Sequence, residues 1–206
     1  MWPFKKKEND VWEQAVKQMA DTVDAVMGQT VSLYADDEVL AERASESKVL
    51  GVSLESSIFL THVLDTILFR KRPDIRESIM LSMYRVISSA YNLEDIDERE
   101  QLRIEDVIDD RMSRYSMIAR DTWKPAGYWW FGKKPNQDTL TQCLLLFGDY
   151  ITYYRECGKL PLGDDAETVF LVNPLDCETL ATPFIVFQYL APAVKQYLVQ
   201  LEKIVR

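Results

Sequence analysis

Apolar residues recur along most of this chain at spacings of three and four, the period that lays one face of an α-helix against a core. The strongest run is Ile58-Phe59-Leu60-Thr61-His62-Val63-Leu64-Asp65-Thr66-Ile67-Leu68-Phe69, in which eight of twelve residues are large and apolar. A segment apolar almost all round belongs inside. Burying eight such side chains is worth roughly 12–24 kcal/mol before conformational entropy is subtracted. Gly51 breaks the pattern upstream and Ser53 stands where a cap is needed, so the spacing predicts a central helix over 53–70. Arg70-Lys71-Arg72 follows, where cations suit a helix C-terminus, and Pro73 fits the first position of the next helix. Ile75, Ile79, Met83, Val86, Ile87 and Ala90 give that next helix its stripe over 74–91. Together the two predict a tight helical hairpin.

The flanks extend the pattern. Val11, Trp12, Ala15, Val16, Met19, Ala20, Val23 and Val26 predict a helix over 10–34, capped by Asn9 or Asp10 and weakest at Gly28. Residues 1–8 read as a flexible N-terminal segment, and 36–48 as a short exposed helix. After the hairpin, a helix is expected to begin within the acidic stretch 94–110 and run to Ala119. Its wheel is poor: Ile104, Val107 and Ile118 share a side with Arg111 and Arg114, while Leu102, Met112 and Tyr115 lie opposite. Such a helix either buries a salt-bridge network or is wetted on two sides.

Residues 120–136 have no helical period and read as a long loop. Thr139-Leu140-Thr141-Gln142 matches a capping box, starting a helix that stops at Gly158. Val169-Phe170-Leu171-Val172 is a strand or a buried turn, and the last helix starts at Asn173-Pro174 or Thr182-Pro183. Pro192 removes its hydrogen bond to Gln188 and should bend it. The expected fold is all-α: one domain over 1–206, an irregular bundle of six or seven helices around the apolar hairpin, with one long aromatic loop.

Composition leaves this picture in place. With 47% apolar and 28% charged residues and only 7 Gly and 8 Pro in 206, disorder and a many-stranded sandwich are both disfavoured. A net charge of −9 repels phosphate backbones on average, so no nucleic acid is expected as partner. Cys143, Cys157 and Cys177 are odd in number and form no C-x-x-C pair, which suits reduced thiols in a cytoplasmic setting. His62 and Asp65 interrupt the best candidate for a membrane span, and Lys5-Lys6-Lys7 is followed by Glu8 rather than by the apolar core of a signal peptide.

Candidate chemistry is sparse. A single histidine, His62, excludes multi-histidine zinc sites and paired Glu-x-x-His di-iron sites, and no phosphate-binding glycine loop is present. At 100° per residue Glu55, His62 and Asp65 share one stripe of the central helix with Thr66 and Phe69. That stripe reads either as a general acid/base histidine oriented by Asp65 or a lone metal ligand with carboxylate partners, or as the helix's solvent edge or a satisfied core histidine.

The stretch from Glu94 to Asp110 holds nine acids against two arginines. On one continuous helix Glu98, Glu105 and Asp109 would align, and carboxylates so spaced hold Mg²⁺ through its waters. In this the stretch is similar in kind to the carboxylate-rich helices of all-helical nucleotide pyrophosphatases, without their paired Glu-x-x-Glu and Glu-x-x-Asp pattern.

The long loop concentrates Trp123, Tyr128, Trp129, Trp130 and Phe131 beside Lys133 and Lys134. Rings this dense either fold back as a lid or meet a partner. Trp2-Pro3-Phe4 before three lysines repeats the same aromatic-then-basic order, which suits a membrane interface.

The leading expectation is a non-enzymatic cytoplasmic interaction or binding protein, with 123–134 as its contact surface and a protein partner or a second copy bound there. No cofactor is expected. A Mg²⁺- or Mn²⁺-dependent hydrolase of a phosphorylated or nucleotide substrate, working from the acidic helix, is the first alternative. A peripheral membrane-associated protein is the second, with the −9 charge counting against it.

Overall fold

The computed structural model describes residues 3–35, 46–93, 96, 102–119, 139–157, 160, 162 and 177–206. These form six helices and, among the described residues, no strand: α1 Pro3–Ala35, α2 Glu46–Lys71, α3 Pro73–Ala90, α4 Ile104–Ala119, α5 Thr139–Cys157 and α6 Cys177–Ile204. The chain is all-α, as its periodicity predicts.

α2 is the helix the others surround, since it packs against each of the other five. From Val52 to Leu68 only Ser53, Asp65 and Thr66 are more than marginally accessible. Its buried hydroxyls cost little because the helix satisfies them. Ser56 donates to the carbonyl of Val52 at 2.7 Å and Thr61 to that of Ser57 at 2.8 Å. Val49–Lys71 is long and apolar enough to cross a membrane, but 78% of its apolar window is buried inside the bundle.

Contacts between side chains fix the direction of the helices. Thr61 meets the sulfur of Met19 and Ser78 donates to Glu8, so α1 runs antiparallel to α2. Tyr91 closes the hairpin onto Ser53 and Ser57, at 2.7 and 2.9 Å. Glu55 with Arg111, and His62 stacked on Tyr115, set α4 parallel to α2. Phe59 on Phe147 with His62 near Cys143 set α5 antiparallel to it. Lys71 reaches Glu202 at 3.6 Å, so the C-termini of α2 and α6 share one end of the bundle.

Several boundaries differ from expectation. α1 begins at Pro3, so residues 3–8 belong to a helix rather than a flexible segment; proline suits a first turn, and Glu8 is held by Ser78. Gly51 does not break α2. A Cβ there would lie 2.1 Å from Cε1 and Cζ of Tyr154, whose hydroxyl donates to the Ile96 carbonyl at 2.8 Å. Glycine is a notch for that ring. Ser53 accordingly caps nothing and bonds Tyr91 instead.

The acidic stretch is not one helix, because Leu102 and Arg103 are non-helical and α4 starts at Ile104. α6 runs from Cys177 to Ile204 without interruption at Pro183 or Pro192. The expected features at 36–45, 120–138 and 169–172 lie outside the described residues.

Candidate functional site

Where α2, α4 and α5 meet, the bundle buries a polar cluster. Glu55 and Arg111 are both 0% exposed, with Nε of Arg111 3.0 Å from each carboxylate oxygen and Nη2 2.7 Å from Oε1. Nη1 donates to Asp110 at 2.6 Å, and Asp110 also accepts from Nε of Arg114 at 3.1 Å. Two acids thus face two guanidiniums, and the charges cancel. The Tyr150 ring lies under the Arg111 guanidinium, 3.9 Å from its carbon. This is the buried network that the poor wheel of α4 allowed for. Desolvation is the largest influence and opposes the charge on Arg111, but Glu55, Tyr150 and Asp110 together outweigh it and hold the proton more firmly than usual.

One turn further along, Phe59 stacks on Phe147 at 4.6 Å and His62 on Tyr115 at 5.0 Å, with Tyr115 edge-on to Tyr150. His62 is buried, its Nε2 3.8 Å from the sulfur of Cys143. Burial depresses its pKa to about 4, partly offset by Asp65, so the ring is neutral at pH 7. Desolvation raises Tyr115 and Tyr150 above the usual phenol range. Among the described residues, Nδ1 of His62 and the hydroxyls of Tyr115 and Tyr150 have no hydrogen-bond partner.

The polar stripe therefore splits. Glu55 and His62 point into the core rather than toward a solvent edge, whereas half-buried Asp65 binds Arg76 through contacts of 2.6 and 2.9 Å. Asp65 does not orient the histidine. Tyr115, Tyr150 and Cys143 were the unforeseen members of the cluster. Cys143 and Tyr115 did sit at helical spacing with apolar neighbours, the one signal that could have placed them.

Of the proposed metal ligands, Glu105 and Asp109 are exposed one turn apart on α4, and Glu98 lies outside the described residues. Among the described residues no three His, Cys, Asp or Glu side chains gather as a metal site. Trp123, Tyr128, Trp129, Trp130, Phe131, Lys133 and Lys134 also lie outside the described residues.

The helix directions sort surface charge into two poles. One end collects the start of α1, the end of α2, the start of α3 and the end of α6. Residues 3–10, 67–76 and 201–206 hold nine Lys and Arg against four Asp and Glu, a net +5 in a chain of −9. Phe69 stands at this end 66% exposed, with the Arg76 guanidinium 5.5 Å from its ring centre. α4 ends and α5 begins toward the same end. At the opposite end α3 hands over to α4, where Glu105, Asp106 and Asp109 are exposed. No known protein family, curated protein or solved structure matches the chain.

Proposed function

We propose that the protein is a non-enzymatic, cytoplasmic helical interaction protein whose contact surface is the basic end of the bundle. By their composition, Trp123, Tyr128, Trp129, Trp130, Phe131, Lys133 and Lys134 are proposed as further contact residues. One observation carries this reading. α4 and α5 run antiparallel, and the end of α4 and the start of α5 lie toward the end of the bundle where Phe69, Arg70 and Lys71 are exposed. Rings beside cations are the residue types that dominate binding energy at interfaces.

The buried cluster supports the same reading from the other side. Glu55, His62 and Cys143 are at most 6% exposed, and the acid is consumed in an ion pair that ties α2 to α4. Chemistry on a bound substrate needs access that these groups lack. They act as a lock that keeps the helices in register.

Sedimentation equilibrium of the full chain tests the proposal. Trp130→Ala should weaken a dimer or partner complex by about 2 kcal/mol or more, with an unchanged melting temperature. A monomer before and after the substitution, together with a sharply lowered melting temperature, would refute it.

A further inference from the structure

We infer that the basic pole docks the protein end-on against an anionic membrane surface; this rests on the reading of that end as the contact surface and names its partner. Phe69 is a large ring left 66% exposed, and it is followed directly by Arg70, Lys71 and Arg72. Lys203 and Arg206 are exposed at the neighbouring end of α6, one turn beyond Val199, which is itself 54% exposed. Two of the four large exposed hydrophobics of the described residues thus lie among the cations of one pole. Rings and aliphatic groups that enter the headgroup layer while flanking Lys and Arg meet its phosphates are the chemistry of interfacial anchoring. The cations sit on the ends of different helices, an arrangement that suits a flat polyanion.

Among the described residues, the exposed acids of α4 lie far from this pole. Glu105 sits nearly two turns beyond the level of Glu55, and the rise of 1.5 Å per residue puts the exposed acids of α4 about 30 Å along the bundle from Lys71. The Debye length is about 8 Å at physiological salt, so their repulsion is screened at the surface that meets the lipid. Of the nearer acids, Asp74 binds Arg72 at 2.8 Å, Glu202 faces Lys71, Asp65 holds Arg76 and Glu8 accepts from Ser78, while Asp10 and Glu77 are exposed. A protein with separated poles approaches an anionic surface basic end first.

Flotation of the full chain with vesicles tests this, comparing phosphatidylcholine alone with phosphatidylcholine containing about one-third phosphatidylserine. The chain should float with the anionic vesicles, stay behind with the neutral ones, and be released as salt rises. Each surface cation near an anionic leaflet is worth about fivefold in partition, so Arg70→Gln/Lys203→Gln/Arg206→Gln should cut partition about a hundredfold. Phe69→Ser should cut it as well, at every salt concentration at which the parent still floats. These positions are exposed, and an unchanged melting temperature establishes that the variants fold.

Absence of flotation at low salt overturns the inference, as does equal flotation with neutral vesicles or a triple variant that partitions like the parent. Tighter binding of a DNA or RNA oligonucleotide through the same three cations assigns the pole to nucleic acid and overturns it as well. Mass that grows with concentration and collapses in the triple variant, without flotation, assigns the pole to the acidic end of a second copy. If flotation fails while Trp130→Ala still weakens a complex, the inference falls and the contact-surface reading stands. Flotation lost in the triple variant but indifferent to Trp130→Ala leaves the inference standing and removes the loop from the contact surface.

Discussion

Removing either half of the Glu55–Arg111 pair should destabilise the protein far more than removing both. Each side chain is fully buried, so neither partner can turn to water when the other is lost. A charge left behind in such a site costs about 3–5 kcal/mol, whereas replacing a buried pair with apolar groups of similar size is often neutral or stabilising. Glu55→Leu strands the Arg111 guanidinium, which retains only Asp110 at 2.6 Å and the Tyr150 ring. Arg111→Met strands Glu55 completely, since the described hydrogen bonds of its carboxylate all come from Arg111. The single substitutions should each lower stability by about 3–5 kcal/mol, and Glu55→Leu/Arg111→Met should recover most of that loss. Urea unfolding gives the three midpoints, with an unchanged slope confirming two-state behaviour. Singles costing less than about 1 kcal/mol, or effects that simply add, would show that the pair is hydrated rather than locked in the core.

Two further predictions follow from the same packing. The folded pKa of His62, about 4, lies below its unfolded value of 6.5, so the unfolded chain binds more protons between those values and this histidine's contribution falls as pH drops through that window. Between pH 7 and pH 4.5 the parent should lose about 2–3 kcal/mol more than His62→Gln does, and equal losses in the two proteins would contradict the burial of the ring. Gly51→Ala should destabilise by about 1–3 kcal/mol or more, because its methyl group would overlap the Tyr154 ring. Gly28→Ala, whose Cβ meets nothing within 4 Å, should stabilise by up to about 1 kcal/mol; scanning calorimetry showing both shifts with the same sign would refute the notch at Gly51.

What the sequence determined was local. The apolar period reports which face of each helix turns inward, so α2, α3 and the all-α class were readable from Ile58–Phe69 and from the stripe Ile75 to Ala90. Pro73 was readable as a helix start because its fixed φ acts on its own residue. Even the buried network left a trace, since Arg111 and Arg114 stood on the side of α4 that carries Ile104, Val107 and Ile118. The aromatic and acidic stretches were visible as composition, but composition carries no position.

The tertiary structure decided everything that depends on a distant partner. Gly51 reads as a breaker until Tyr154 arrives from more than a hundred residues away and needs the missing side chain. Asp65 stands one turn from His62 in sequence, yet Arg76 from the next helix captures it with two hydrogen bonds. Glu55 looks like part of a solvent edge until Arg111 supplies the counter-charge that makes its burial tolerable. The separation of +5 at one end from the acids at the other exists only because α1 and α3 run against α2 while α4 and α6 run with it. Charge adds along a sequence as a number, and only the direction of each helix turns that number into a field.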